Sequence, residues 1–471
     1  MKKVNDLGRD NITKLVFKLA LPAMVAQLIN VLYGIIDRMY IGHIEGIGDL
    51  ALAGVGVCAP IVTFLSSFGT LFGLGGSILM AMYLGAKEYD KAKKVLSNSF
   101  LMLVISSIIL TVAFLLTKDK LIMWFGASEN TFPFADEYMT IYTYGTFFAV
   151  MALGLNFFIT AQGFPMIAMF TVCIGAVMNI ILDSIFILVF SWGVKGAAIA
   201  TVISQFASCA FVVGFLFSKR PQVRISFGGY SIKKIGKLFL LGFPPFAIIA
   251  LDSVLIIVLN ATLQRYGGVE GDLYVSCATI AQSFLFLVTG PLAGLTGGTQ
   301  AIISFNLGAQ NFDRIKKSEK VILLFGVVFM IFMMVIANVL CGVFARMFTS
   351  DTILLEKSIW AIRIMTLGII PLAFQYTFVD GFTALGKVGI SLFLSMFRKA
   401  IYITSALVLP IYFGVESIFY AEAISDVLGA IMSSIFFSTI FLSFIRKNLK
   451  KQKMMAELSK GVDITIEKHT I

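Results

Sequence analysis

The chain has 471 residues, of which 58% are hydrophobic and only 13% are charged, and its mean hydropathy is +0.93. Soluble globular proteins carry about 25% charged residues, so this composition excludes a soluble protein and indicates one embedded in the lipid bilayer. The net charge of +11 does not indicate a nucleic-acid partner, because basic residues of membrane proteins gather in their cytoplasmic loops. We therefore expect no nucleic acid among its partners.

A membrane-spanning helix needs about 20 predominantly apolar residues, and the chain contains twelve such segments. The second and the eighth are longer than a bilayer requires and contain clusters of glycine, which predict bends or close helix packing. The pattern as a whole predicts an all-α membrane protein. The predicted spans are 15–42, 51–83, 95–117, 138–161, 165–190, 194–218, 238–264, 272–307, 321–347, 359–385, 389–413 and 416–445.

Basic residues are divided unevenly between the two sets of loops. One side, counted with both ends of the chain and with Arg398 and Lys399 of span eleven, carries 29 of the 37 lysines and arginines, whereas the opposite loops carry seven and Arg38 lies within span one. The positive-inside rule assigns the basic set to the cytoplasm. We therefore predict a multi-pass protein of the cell membrane with both termini in the cytoplasm.

The two halves of the chain resemble each other at a shift of about 222 residues. LALPAM at 19–24 matches LGFPPF at 241–246, and the glycine-rich end of span two with its basic loop, 73–94, matches 294–317. The repeat predicts two six-helix bundles related by a pseudo-two-fold axis along the membrane normal, which is a transporter architecture. The predicted parts are an N-lobe at 1–218, a cytoplasmic linker at 219–237, a C-lobe at 238–447 and a cytoplasmic tail at 448–471.

Acidic residues within membrane spans are energetically costly and therefore point to function. Asp37 of span one, Asp183 of span five and Thr201 of span six lie roughly 8, 12 and 10 Å from the outer ends of their spans at 1.5 Å per residue. Asn179 precedes Asp183 by one turn on the same helical face. These four side chains could bind Na⁺ through their oxygens, or H⁺, because two carboxylates buried together cannot both stay ionised. The alternative is that each acid pairs with a neighbour such as Arg38.

The C-lobe also carries acids within its spans. Asp252 and Asp426 are the deep ones, whereas Asp380 lies a few residues from the cytoplasmic end of span ten. They either contact substrate or protons, or pair with a basic residue such as Arg398 of span eleven. Both interpretations of the C-lobe acids remain open.

Enzymatic function is not expected. No HExxH, GxSxG or P-loop motif lies in a suitable context, and the five cysteines are scattered singly through apolar segments. We therefore expect no catalytic residues and no cofactor apart from a coupling ion.

Several features together resemble the multidrug and toxic compound extrusion (MATE) family over essentially the whole chain. They are the two six-helix repeats, LALPAM opening span one, Asp37 in its outer half, and the set Asn179, Asp183 and Thr201; the NIILD string is similar to the MepA-type bacterial branch. The resemblance implies an antiporter of the bacterial inner membrane that expels organic, often cationic and aromatic, compounds in exchange for Na⁺ or H⁺. It assigns cation coupling to Asp37 and Asp183, with Asn179 and Thr201 as partners.

The resemblance also bears on the C-lobe and on partners. Asp252 follows Pro244 by eight residues, where the NorM-type branch carries a glutamate, and Asp380 or Gln375 could correspond to a span-ten aspartate of that branch. The implied partners are small-molecule drugs or toxic organic cations, and we expect a monomer. The alternative function is a lipid-linked oligosaccharide flippase, which shares the broad architecture but often has more spans and a cationic central cavity.

Overall fold

The computed structural model describes residues 5–42, 44, 48–125, 127, 129–349, 351–452 and 454. This part of the chain is almost entirely helical and contains no β-strand. Its α-helices are α1 (Ile12–Gly42), α2 (Gly48–Gly85), α3 (Tyr89–Trp124), α4 (Phe132–Ala161), α5 (Pro165–Asp183), α6 (Gly193–Phe217), α7 (Ile232–Gly267), α8 (Gly271–Gly308), α9 (Phe312–Arg346), α10 (Thr352–Met365), α11 (Ile369–Ala384), α12 (Val388–Phe413) and α13 (Tyr420–Phe436).

The predicted all-α membrane architecture is confirmed. Within the described ranges, eleven helices are long and apolar enough to cross a membrane. The tenth predicted span is instead divided between α10 and α11 by a 3₁₀ turn at Thr366–Gly368, so neither half reaches spanning length alone. The spans are helical because the lipid offers no partner for backbone polar groups, which must therefore be satisfied within the helix. The helices are apolar around most of their circumference because both the lipid and the core favour apolar side chains.

The predicted linker and tail are partly helical. Helix α7 begins at Ile232, inside the predicted linker range 219–237. Of the predicted tail 448–471, residues 448–452 and 454 are helical. The other tail residues lie outside the described part of the chain.

Successive spans alternate in direction, so the bundle has two faces. We call the face at which α1 begins the N-terminal face, and the other the opposite face. The largest buried cluster draws on both lobes, with members such as Leu15, Leu71 and Leu295. Two smaller clusters each belong to one lobe, around Ile41 in the N-lobe and Phe419 in the C-lobe. The lobes therefore share a core toward the N-terminal face and have separate cores toward the opposite face.

Glycines bring α2 and α8 into backbone contact at the N-terminal face. A Cβ added to Gly85 would lie 1.8 Å from the backbone oxygen of Phe305, and one added to Gly308 would lie 1.8 Å from that of Met82. Any side chain at either position would push the helices apart. The two contacts are related by the internal repeat, since Gly85 and Gly308 occupy the LGA motif of each half.

The glycine clusters predicted to mark close packing do so. A Cβ on Gly75 of α2 would lie 2.4 Å from the backbone oxygen of Leu238 in α7, and one on Gly294 of α8 would lie 2.5 Å from that of Ala23 in α1. The contact of α1 with α8 and that of α7 with α2 are equivalent under the pseudo-two-fold repeat. The prediction of close packing at these clusters is therefore confirmed.

Candidate cation-binding site

The two N-lobe acids lie side by side. Asp183 is the last residue of α5 and is fully buried, and Asp37, near the end of α1, is 9% exposed. Their carboxyl groups lie within hydrogen-bonding reach of each other. The structure thus brings together the two carboxylates that sequence analysis placed at similar depths on different spans.

An amide and a hydroxyl complete this group. Asn179 and Thr201 are both buried, and Nδ2 of Asn179 lies 3.4 Å from Oγ1 of Thr201, to which it donates. Four oxygens accept no hydrogen bond from any described residue: Oδ1 of Asp37, Oδ1 of Asn179 and both carboxylate oxygens of Asp183. Buried polar atoms are rarely left without a partner, and hard cations prefer oxygen ligands. The arrangement therefore suits a bound cation or proton.

Pairing with Arg38 is not what the geometry shows. The Arg38 side chain is exposed although it follows Asp37 directly. The ion pairs found among the described residues include neither Asp37 nor Asp183. Among the described residues, the two carboxylates therefore form no ion pair with a basic side chain of the N-lobe.

Two tyrosines that sequence analysis did not single out lie beside the acids, and a third packs against one of these tyrosines. Tyr33 lies close to both Asp37 and Asp183. Tyr138 lies near Asp37, and its ring stacks on that of Tyr142 with a centroid separation of 6.0 Å. Tyr33 could have been found, because it precedes Asp37 by one turn on the same helical face. The two α4 tyrosines could not, because only the packing of α4 against α2 and α6 turns them toward the site.

Helix α5 changes its pitch directly after the site. Residues Ser184–Val189 form a π-helix, an irregularity that frequently accompanies functional sites. The hydroxyl oxygens of Ser184 and Tyr40 are 2.8 Å apart, and the Ser184 hydroxyl also lies 2.8 Å from the backbone oxygen of Ile180. This bridge fixes the end of α5 to α1 next to both carboxylates.

The C-lobe acids, by contrast, lie within a network of ion pairs. Nη1 of Arg398 lies 2.7 Å from Oδ1 of Asp426 and 3.4 Å from Oε1 of Glu422. Lys399, which is buried, pairs with Asp252, whose side chain is 50% exposed. Each of these carboxylates thus has a basic partner.

The two other predicted C-lobe residues lie on α11. Gln375 is buried and satisfied at both ends: its Nε2 donates to the backbone oxygen of Leu394 at 3.2 Å, and its Oε1 accepts from the Ser433 hydroxyl. Asp380 is half-buried and faces Gln300 of α8. Neither residue belongs to the ion-pair network.

Comparisons with known proteins agree with this architecture. The family model described as MatE matches residues 22–185 and 248–408, one stretch in each half of the chain. The multidrug export protein MepA of Staphylococcus aureus (strain N315) is 26% identical over 424 residues, covering 89% of this chain and 92% of MepA. MepA of Staphylococcus haemolyticus (strain JCSC1435) is 25% identical over 427 residues, covering 90% and 92%.

Solved structures share the fold. One described as an outward-facing conformation of a multidrug resistance MATE family transporter of the MOP superfamily has a TM-score of 0.87 and 23% identity, covering 95% of this chain and all of that one. A MOP superfamily transporter from Pyrococcus furiosus Vc1 (DSM3638), whose binding pocket is described as having reversed polarity, has a TM-score of 0.88 and 23% identity, covering 94% and 100%. With family matches in both halves, the chain belongs to the multidrug and toxic compound extrusion (MATE) family of membrane transporters and is not an enzyme.

Proposed function

We propose that the chain is a multidrug efflux antiporter that exports organic, often cationic and aromatic, compounds in exchange for Na⁺ or H⁺. The observation that carries the proposal is the buried group of unpartnered oxygens on Asp37, Asn179 and Asp183. The names of the curated MepA relatives, multidrug export proteins, support the class of substrate.

The position of this group suits the coupling of ion binding to movement. Asp37 lies on α1 and Asp183 on α5, so a cation or proton between them changes the electrostatic repulsion between the two helices. Helix α1 also packs closely on α8 of the C-lobe, where Ala23 meets Gly294. A shift of α1 is therefore transmitted to the lobe interface. Such coupling requires that the ion bind one arrangement of the lobes more tightly than the other.

The charge distribution supports an assignment of the two faces to the two sides of the membrane. The positive-inside rule assigns the N-terminal face to the cytoplasm. Because the lobes share a core at that face and have separate cores at the opposite one, we assign the present arrangement to the state that takes up a cation from outside and releases drug there. Rocking of the two lobes about the central site would complete the cycle.

An aromatic cluster where the lobes meet suits the proposed substrates. Phe68 of α2 packs edge-on against Phe246 of α7 with ring centroids 5.0 Å apart, and Phe64 lies 6.3 Å from the same ring. Aromatic faces attract flat aromatic molecules and organic cations.

Ethidium accumulation in bacteria that lack their own exporters tests the proposal. We expect cells with the wild-type chain to accumulate less ethidium than empty-vector cells, and cells with Asp183→Asn to match the vector. The control is Asp119→Asn, because that aspartate is 71% exposed and should export normally. Wild-type export by Asp183→Asn would show that Asp183 is not the coupling acid.

Complementation of a flippase-null strain tests the alternative function. The ion-pair network described in the C-lobe contains two basic residues, Arg398 and Lys399, and three acidic ones, Asp252, Glu422 and Asp426. This is not the cationic excess that a lipid pyrophosphate needs. We expect no rescue, whereas rescue without drug export would favour the flippase.

A further inference from the structure

A third buried acidic site lies in α9, far from the N-lobe pair. Glu319 is 1% exposed, and neither of its carboxylate oxygens has a hydrogen-bond partner among the described residues. It lies seven residues after the start of α9, or about 10 Å from the N-terminal face at 1.5 Å per residue. Sequence analysis did not single it out because it lies just before the predicted start of span nine.

Helix α11 supplies the immediate surroundings of Glu319. A Cβ added to Gly381 would lie 2.3 Å from Oε1 of Glu319, so the glycine leaves room for the carboxyl group. Asp380, the preceding residue, places a second carboxyl group near that of Glu319. Thr296 and Gln300, which face Asp380 from α8, are uncharged. The lysines of α1 and α9 at this level are exposed: Lys14, Lys18, Lys316, Lys317 and Lys320.

A carboxyl group in this position cannot remain ionised at low cost. Desolvation disfavours its charged form, and the neighbouring carboxylate of Asp380 disfavours it further. No ion pair found among the described residues includes Glu319, and Arg314 of α9 donates instead to the backbone oxygens of Leu7 and Asp10. We propose that Glu319 holds a proton and that Glu319 and Asp380 form a second protonation site, in the C-lobe and toward the N-terminal face.

The site has a route to the lobe interface. Gln300 faces Asp380 and also lines a small cavity between α2, α4 and α8, together with Ser77 and Thr160. Separation of the lobes at the N-terminal face would open this cavity to water. Asp380 would then be hydrated first, and the proton on Glu319 would exchange with that side of the membrane. This site does not depend on the coupling role proposed for Asp37 and Asp183.

Infrared spectroscopy of the full chain in liposomes tests the proposal without a transport assay. A protonated carboxyl group has a carbonyl band that an ionised carboxylate lacks. We expect the difference spectrum between wild type and Glu319→Gln at neutral pH to show the loss of one such band. Asp183→Asn serves as the control, because it should leave the Glu319 band in place. A difference spectrum with only carboxylate bands would show that Glu319 is ionised and would overturn the proposal.

A second variant tests the role of Asp380 with Glu319 intact. Removing the neighbouring negative charge in Asp380→Asn should make Glu319 release its proton at lower pH, so we expect the band to titrate at a lower pH than in wild type. This measurement still tests the proposal if Glu319→Gln fails to fold. An unchanged titration would show that the two carboxyl groups do not form one site. Wild-type ethidium export by Asp183→Asn, with both spectral results as expected, would overturn the proposed function alone.

Discussion

Two fully buried aspartates, Asp183 and Asp426, have opposite environments. Both carboxylate oxygens of Asp183 lack a hydrogen-bond donor among the described residues, whereas Oδ1 of Asp426 lies 2.7 Å from the Arg398 guanidinium. An unpaired buried charge destabilises a fold, and a buried ion pair becomes destabilising once one partner is removed. The same substitution at the two positions should therefore have different consequences.

We expect Asp426→Asn to lower the free energy of unfolding by about 3–5 kcal/mol, because it leaves Arg398 without its closest buried partner. Asp183→Asn should leave stability unchanged or raise it, because it removes a buried carboxylate that has no basic partner among the described residues. Thermal unfolding of the purified variants in one detergent measures both. Equal losses of stability in the two variants would contradict the assignment of a structural role to Asp426 and an ion-binding role to Asp183.

At the residue scale, sequence analysis predicted the N-lobe group but not its whole surroundings. Depth along a span follows from the helical rise, and this placed Asp37, Asp183 and Thr201 at one level. Rotation of one helix against another does not follow from depth. For that reason the α4 tyrosines Tyr138 and Tyr142 and the pairing of the C-lobe acids emerged only with the structure.

The helices at the lobe interface depend on glycine at their points of closest approach. A Cβ on Gly242 of α7 would lie 1.8 Å from the backbone oxygen of Leu71 in α2. Backbone atoms cannot yield as a flexible side chain does, so a methyl group there must separate the helices. A Cβ added to Gly236, also in α7, would have no atom within 4 Å apart from the backbone of its own helix. This position therefore provides a matched control.

We expect Gly242→Ala to widen the separation of the lobes at the N-terminal face. Spin labels replacing Lys91 of the N-lobe and Lys316 of the C-lobe, both exposed, would report the distance in a chain whose native cysteines are replaced. Gly236→Ala should reproduce the wild-type distance distribution. Identical distributions for both variants would show that the glycine crossing does not hold the lobes together.

At the element scale, hydropathy predicted every span but not every end. Helix α3 begins at Tyr89 and α9 at Phe312, six and nine residues before the predicted starts, because a helix can continue past the apolar layer into the polar interface. The 3₁₀ turn at Thr366–Gly368 was also missed. It leaves the apolar composition of span ten unchanged and so has no hydropathy signal.

Across the whole molecule, the segment before α1 connects the two lobes at the N-terminal face. Nδ2 of Asn5 donates to the backbone oxygen of Gly163 in the N-lobe at 3.1 Å. The backbone oxygen of Leu7 accepts from Asn306 at 3.0 Å and from Arg314 at 3.2 Å, both in the C-lobe. Opening of this face would have to break one set of these contacts.

We expect Leu7→Ala to loosen this connection, because the leucine is only 4% exposed and truncation of a buried leucine costs about 2–5 kcal/mol. Hydrogen–deuterium exchange should rise in the end of α8 around Asn306. Leu7→Met, which conserves volume, should exchange like wild type. Unchanged exchange in Leu7→Ala would show that the segment does not secure this face.

The central claim is that the buried carboxylates Asp37 and Asp183 couple drug export to cation entry. Drug transport in proteoliposomes, with Na⁺ and H⁺ gradients imposed separately, tests it most directly. We expect one of the two gradients to accelerate transport by the wild-type chain and neither to accelerate transport by Asp183→Asn, although the variant remains monodisperse and binds drug. Acceleration of Asp183→Asn to the wild-type extent would contradict the claim.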